Sequence, residues 1–163
     1  DNSAGILHFP DRQLDMCRLG LGLYGINSRD NQIINNVCSL RTTVLQMHKI
    51  GSNETVGYSR KGTVERETIV AAIPIGYADG LDRRLGNRNC YCLVNGHKAS
   101  YLGNICMDVA MIDVTDIDCK EGDRVEIFGN NLSVTVLSDA LNTIPYEVLT
   151  TISQRVKRIY FQD

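Results

Sequence analysis

A chain of 163 residues with 43% hydrophobic and 22% charged side chains has enough apolar material for one ordinary core and reads as a soluble globular protein. Its 17 basic and 19 acidic residues give a formal net charge of −2, which argues against nucleic acid or an anionic membrane as a main partner. No apolar run approaches the roughly 20 residues that cross a bilayer, and no secretory signal is visible.

The chain opens at Asp1-Asn2-Ser3 without Met and reads as a piece of something longer. Phe9-Pro10-Asp11 is a turn, and Asp11–Asp15 is expected to begin a short helix. Met16 to Gly25 is apolar and dense in glycine, which predicts a buried strand whose end lets a ligand approach the backbone. Gly20, Gly22 and Gly25 leave N–H groups unshielded, as a phosphate cradle requires, although taken without context tight packing alone is the favoured account of them. The polar stretch 26–35, with Asn27-Ser28-Arg29-Asp30-Asn31, reads as a linker and a domain boundary.

Beyond it the signal is mainly β. Val37–Ile50 alternates in part, and Gly51-Ser52-Asn53-Glu54 turns the chain. Tyr58 follows in a glycine-marked turn, Glu54 to Ser59. Glu67–Ile75 is a strong strand, and Asp82–Leu85 suits one helical turn. Tyr91–Val94 and Lys98–Leu102 flank Asn95-Gly96, the preferred pair for a type I′ hairpin turn. Cys106–Val114 alternates again, and Glu121-Gly122-Asp123 leads into Arg124–Phe128. Val136–Leu141 and Tyr146–Ile152 are short helices, with Ser138 capping or inside the first and Pro145 starting the second. Arg155–Phe161 reads as a terminal strand. Many close-spaced strands with short turns predict a β-barrel or sandwich.

The six cysteines lie mostly in apolar runs and read as free buried thiols of a reducing compartment rather than a disulfide framework. Cys90 and Cys92 share a strand face, but His97 is the only further ligand nearby, so no metal site is expected. Two glycosylation sequons, at Asn53 and Asn131, carry little meaning without a secretory route. Three segments stand out for function: Glu54–Ser59, Ile73–Gly80 and Gly103–Asp108. They are expected to bring Tyr58, Tyr77 and Met107 to one rim, over a cofactor site that this chain only partly contains.

In their common order and spacing, Asn2-Ser3-Ala4 with Phe9-Pro10, Arg18-Leu19-Gly20, Val56-Gly57-Tyr58, Ile73 through Gly80, Gly103 through Asp108, Tyr146-Glu147-Val148 and Arg155-Val156 resemble the C-terminal part of alanine racemase. That family is pyridoxal-phosphate-dependent and interconverts L- and D-alanine for bacterial cell walls. The resemblance implies a mainly β fold: residues 1–25 as the end of an N-terminal α/β barrel, and 36–163 as a C-terminal β-barrel-like domain. It also implies a cytoplasmic homodimer with a shared active site. Asn2, Ser3, Gly20, Leu21 and Tyr146 would lie at the cofactor phosphate, and Arg18 at the pyridine nitrogen. Tyr58 would be the base for the α-proton of L-alanine, one of two opposed bases. Met107 would offer its backbone N–H to the substrate carboxylate, and Tyr77 and Asp108 would line or support the entrance.

The residue types suit the chemistry. Pyridoxal phosphate delocalises a carbanion, and racemisation then needs an acid/base on each face. Arginine at the ring nitrogen stays protonated and limits side reactions. The family's cofactor lysine, its substrate-binding arginine and the histidine supporting the tyrosine belong to the barrel. Lys49, Lys61, Lys98, Lys120 and Lys157 all match the β-domain, so the chain alone is expected to be inactive.

The sequence departs from the family at Ser59-Arg60-Lys61, whose charges either tune Tyr58 or are simply solvated, and at Lys157, where proline is frequent. Alternatives are a serine racemase, a basic amino-acid decarboxylase relative, or a non-catalytic dimerisation domain. The decarboxylases pair Cys with Asp, whereas Met107 separates Cys106 from Asp108 here.

Overall fold

A computed structural model describes residues 1–27 and 29–161. Among the described residues nine strands and three α-helices follow one another: α1 Ser3–His8, β1 Leu40–Thr43, β2 Gln46–Ile50, β3 Thr55–Val56, β4 Gly62–Thr63, β5 Thr68–Ile73, β6 Tyr91–Val94, β7 His97–Ser100, β8 Ala110–Asp113, β9 Arg124–Phe128, α2 Val134–Leu141 and α3 Pro145–Thr151. All strand pairs are antiparallel. One sheet runs β1-β9-β6-β7, a second β2-β5-β8, and β3 and β4 form a small ribbon.

The two larger sheets meet at two corners. At the first, the expected strand Val37–Ile50 breaks into β1 and β2. Val44 N–H bonds to Asp123 O and Leu45 N–H to Ala72 O, so one run of chain passes from one sheet into the other. At the second, Tyr101 bridges Ile112, and Leu102 N–H reaches Met111 O. The result is a barrel-like wrap around a main core, to which α2 and α3 supply Leu137, Leu141 and Val148, with a small second cluster of Val64, Val70 and Leu102.

Central strands carry the interior. Val70, Ala71 and Ile73 of β5, Ile112 of β8, and Val125 and Ile127 of β9 are all buried. Each fully buried valine or isoleucine is worth about 1.5–3 kcal/mol relative to exposure. Leu21 and Ile26, from the N-terminal segment, join the same core.

Local chemistry explains the strongest elements. The β6–β7 hairpin turns at Asn95 (φ 50°) and Gly96 (φ 84°), both left-handed as a type I′ turn demands. Proline opens α3, where its missing N–H costs nothing. Ser133 caps α2, its Oγ accepting from Thr135 N–H at 3.1 Å, while Ser138 is a buried residue within the helix. Ser133→Ala is expected to cost about 1 kcal/mol, read as a lower urea midpoint at unchanged m-value.

Three expectations differ from what is observed. Met16–Gly25 is not a buried strand. Arg18 makes a lone parallel bridge to Asn2, Leu21–Tyr24 form a 3₁₀ turn, and Met16, Leu19 and Leu23 are exposed. Within this chain the pair 2 and 18 has no further strand beside it among the described residues, so no sheet can grow there. The helix expected at Asp11–Asp15 shrinks to one turn, Pro10–Arg12, whereas α1 was not anticipated. Arg155–Phe161 is not a strand, because the Arg158 guanidinium donates to the carbonyls of Ile152, Ser153 and Val156 and curls the segment on itself.

In the expected linker 26–35, Ile26 bridges Ile33; Ser28 lies outside the described residues. Gly25 is required there: at φ +70° a Cβ would sit 1.6 Å from Asn35 O.

All six thiols are free, with Cys90 and Cys92 buried and Cys17 exposed. Burial pushes the Cys92 thiol up to about 12, and it also raises the enclosed Tyr101 hydroxyl, which has no hydrogen-bond partner. These groups stay protonated and serve packing. Among the described residues no cluster of three or more potential metal ligands occurs, and no helix is long and apolar enough to cross a membrane.

Candidate active site

Three loops meet on one rim. The first begins at Gly57 (φ 75°) and turns through Tyr58, Ser59 (φ 59°) and Arg60 (φ 52°). Consecutive left-handed non-glycine residues are uncommon and need support from their surroundings. Asn104 supplies it: its side chain, nearly buried, donates to Tyr58 O at 3.1 Å and accepts from Asn87 Nδ2 at 3.0 Å. The backbones also stack closely, since a Cβ on Gly103 (φ +72°) would meet Val56 O at 2.8 Å. Arg60 is tied back to Thr55 Oγ1 at 3.2 Å. The Tyr58 side chain is 69% exposed, and among the described residues its hydroxyl has no partner.

The second and third loops are bound to each other. Tyr77 N–H donates to Cys106 O and Ala78 N–H to Met107 O, both at 3.0 Å. Cys106 N–H closes a turn onto Val109 O. That turn leaves Met107 at its tip, about half exposed, and among the described residues nothing accepts from the Met107 N–H.

Asp79 organises this region. Its Oδ2 accepts from Gly76 N–H at 2.8 Å and its Oδ1 from Arg155 Nε at 2.7 Å, and Arg155 Nη2 reaches Asp108. Burial pushes the Asp79 carboxyl up, but the bonds from Arg155 and Gly76 together with the Arg155 charge outweigh it and hold the group below the usual carboxylate range. The same bonds, to Asp79 first and Asp108 second, raise the already high affinity of Arg155 for its proton.

A second cluster gathers at the other end of α3. Ser3 is buried, and its Oγ accepts from Gly20 N–H at 2.8 Å. A Cβ on Gly20 would lie 2.2 Å from Tyr146 Oη and 3.7 Å from Ser3 Oγ, so only glycine leaves this corner open. Asn2 caps α1 through Gly5 N–H and bridges Arg18, and Leu21 is buried next to Gly20. Asn2, Ser3, Arg18, Gly20, Leu21 and Tyr146 are therefore neighbours, in a cradle with two hydroxyls. A phosphate-bearing group suits such a donor set. Tyr58, Tyr77, Met107 and Asp108 belong to the rim instead. The two clusters lie at opposite ends of one helix: Tyr146 is in the first turn of α3, and Thr151 O at its end faces Gly80, where a Cβ would come within 2.6 Å. An open cleft lined by Tyr77, Gly80, Asp82, Arg83 and Thr151 borders the rim.

Asn104 and Arg155 were given no role by sequence reasoning. Both lie in motifs that carry the resemblance, but their contacts span 46 and 76 residues and leave no local signature. Asn104→Ala strands the Tyr58 carbonyl and the Asn87 amide, at a cost of about 1–3 kcal/mol. Faster amide hydrogen exchange at 57–60, with the β6–β7 hairpin unchanged, is the expected result.

A rim of three clasped loops on a β wrap, together with a hydroxyl-lined corner around Gly20, is what the described residues bring together. Residues 37–160 match the family model for the alanine racemase C-terminal domain. The chain is 41% identical to "Alanine racemase 1" of Caldanaerobacter subterraneus subsp. tengcongensis, over 99% of this chain and 44% of that protein. It is 38% identical to an alanine racemase of Desulfosudis oleivorans, over 98% and 43%. Among solved structures it superposes on alanine racemase from Bartonella henselae with covalently bound pyridoxal phosphate at TM-score 0.89, with 38% identity over 98% of this chain and 45% of that one. On alanine racemase of Clostridium difficile 630 the TM-score is 0.90, with 34% identity over 99% and 44%. The chain belongs to the alanine racemase family. It spans less than half the length of these relatives.

Proposed function

We propose that this chain is the C-terminal portion of a cytoplasmic, homodimeric alanine racemase that supplies D-alanine for peptidoglycan. Residues 1–25 end its α/β barrel, 26–35 link, and 36–163 form the β-domain. Pyridoxal phosphate, when bound, makes the α-proton of alanine removable. The chain's own residues then divide in two. Ser3, Gly20, Leu21 and Tyr146, with Asn2, hold the phosphate, and Arg18 keeps a positive charge at the ring nitrogen. Tyr58, Tyr77, Met107 and Asp108 face the partner subunit's cofactor: Tyr58 takes and returns the proton on the L face, Met107 N–H receives the substrate carboxylate, and Tyr77 and Asp108 shape the entrance.

The observation that carries this reading is the clasped rim, with Tyr58 exposed on a supported turn and a backbone N–H at Met107 left without an acceptor. The lysines fit a divided role. Lys49 pairs with Glu67 and Lys98 lies over the Tyr91 ring, and among the described residues no lysine touches the Gly20 corner, in keeping with a reading in which the cofactor lysine belongs to the barrel.

The test uses the full-length protein with pyridoxal phosphate, offered L-alanine, L-serine, lysine, ornithine and diaminopimelate. Racemisation of alanine ahead of serine, with no release of carbon dioxide, is expected. Decarboxylation of a basic substrate would replace this reading with the decarboxylase one, and turnover of none with the non-catalytic one.

A further inference from the structure

We infer that Arg155 is a positioning residue for the substrate carboxylate: it clamps the loops of Tyr77 and Met107 together and offsets the negative charge of Asp108 beside the Met107 N–H. The inference rests on the proposed racemase reading and adds a residue outside its substrate contacts.

The geometry is specific. One guanidinium spans two carboxylates from different loops, Asp79 through Nε at 2.7 Å and Asp108 through Nη2. Asp79 is the buried partner, with a side chain only 14% exposed, while Arg155 remains half exposed. Asp79 in turn holds Gly76 N–H, and the Gly76 loop donates to Cys106 O and Met107 O. Arg155 thus ties three parts at once: its own strap, the Tyr77 loop and the Met107 turn. The strap is itself anchored, because Ser153 N–H donates to Asp79 O at 3.0 Å and Arg158 gathers the carbonyls of 152, 153 and 156.

Charge sets the chemical consequence. A substrate carboxylate approaching the Met107 N–H meets Asp108 on the adjacent residue. Without Arg155 the rim presents two carboxylates; with it, the net charge there falls by one. The substrate's carboxylate group is repelled by the first arrangement and tolerated by the second. Because Arg155 and Asp108 are both partly exposed, the effect is moderated by salt.

The experiment measures kcat and KM for L-alanine in the full-length, cofactor-loaded protein for Arg155→Gln, Arg155→Lys, Asp108→Asn and the double variant Arg155→Gln with Asp108→Asn. Arg155→Gln is expected to raise KM by about tenfold, with a smaller change in kcat and a deficit that shrinks at high salt. Arg155→Lys retains most of the affinity. The double variant recovers much of the lost KM, which a purely structural clamp cannot do, because the double variant breaks the clamp further.

A KM for Arg155→Gln within twofold of the parent overturns the inference, as does a double variant no better than the single. If Arg155→Gln fails to fold, Arg155→Lys decides: a lysine variant with KM raised tenfold or more overturns the inference, and one with a smaller rise supports it. Tyr58→Phe, followed by α-proton exchange of alanine in D2O, separates the two levels. Unchanged exchange in that variant removes the racemase reading itself, whereas collapsed exchange with a neutral Arg155→Gln removes this inference alone.

Discussion

In the full-length protein, Tyr58→Phe is expected to cut α-proton exchange from L-alanine in D2O by about 10²–10⁴-fold, the usual contribution of a positioned acid/base. Exchange from D-alanine persists to a measurable degree. The asymmetry follows from two opposed bases: removing one hydroxyl disables one face of the substrate and leaves the base of the other face in place. The variant should fold normally. The Tyr58 side chain is largely exposed, its hydroxyl bonds to no described residue, and the turn is held through its backbone carbonyl by Asn104, which phenylalanine leaves intact. An unchanged thermal transition alongside collapsed exchange would therefore locate the loss in chemistry. Intact exchange from both enantiomers would mean that the tyrosine is a bystander at the rim and would advance the decarboxylase or structural reading.

Elements whose geometry is dictated within a few residues were legible from sequence. Asn95-Gly96 fixed a hairpin because both positions need positive φ, Pro145 marked the start of α3, and the apolar run at 69–73 became the central strand of its sheet. Elements whose fate depends on distant partners were not. Met16–Gly25 has the composition of a buried strand, yet its only strand-like bridge among the described residues is Arg18 to Asn2, so Met16, Leu19 and Leu23 stay exposed while Leu21 alone turns into the core. Arg155–Phe161 has strand-like residues, but Arg158 satisfies the local carbonyls and no ladder forms.

The site shows the same division. The motifs around Tyr58, Tyr77 and Met107 were visible as glycine-marked loops, and those loops do meet. What fastens them, Asn104 beneath Tyr58 and Arg155 across Asp79 and Asp108, is a matter of long-range contact. The two readings left open for Arg60 are narrowed by its bond to Thr55. That bond draws the guanidinium back along its own loop.

Gly76→Ala should be the most disruptive single change at the rim. The position has ordinary extended backbone, φ −146°, so conformational freedom is not the issue. Space is. A Cβ there would lie 2.3 Å from both Cys106 O and Met107 O, and these are backbone atoms that cannot rotate aside as a side chain would. One methyl group must therefore push the Tyr77 loop away from the Met107 turn, stretching the Tyr77 and Ala78 N–H bonds that join them. The Gly76 N–H to Asp79 bond, and with it the seat of Arg155, shifts as well. Overpacking of this kind costs typically about 1–3 kcal/mol and occasionally more. The rigid neighbours place this case at the upper end, and in a domain of this size that corresponds to a fall in Tm of roughly 6–12 °C. Activity should fall further than stability, because the displaced turn carries the N–H proposed to receive the carboxylate: KM for alanine rises even at temperatures where the variant is fully folded. A Gly76→Ala protein with parental Tm and parental KM would mean that the two loops are free to separate without consequence, and the rim would then have no part in binding substrate.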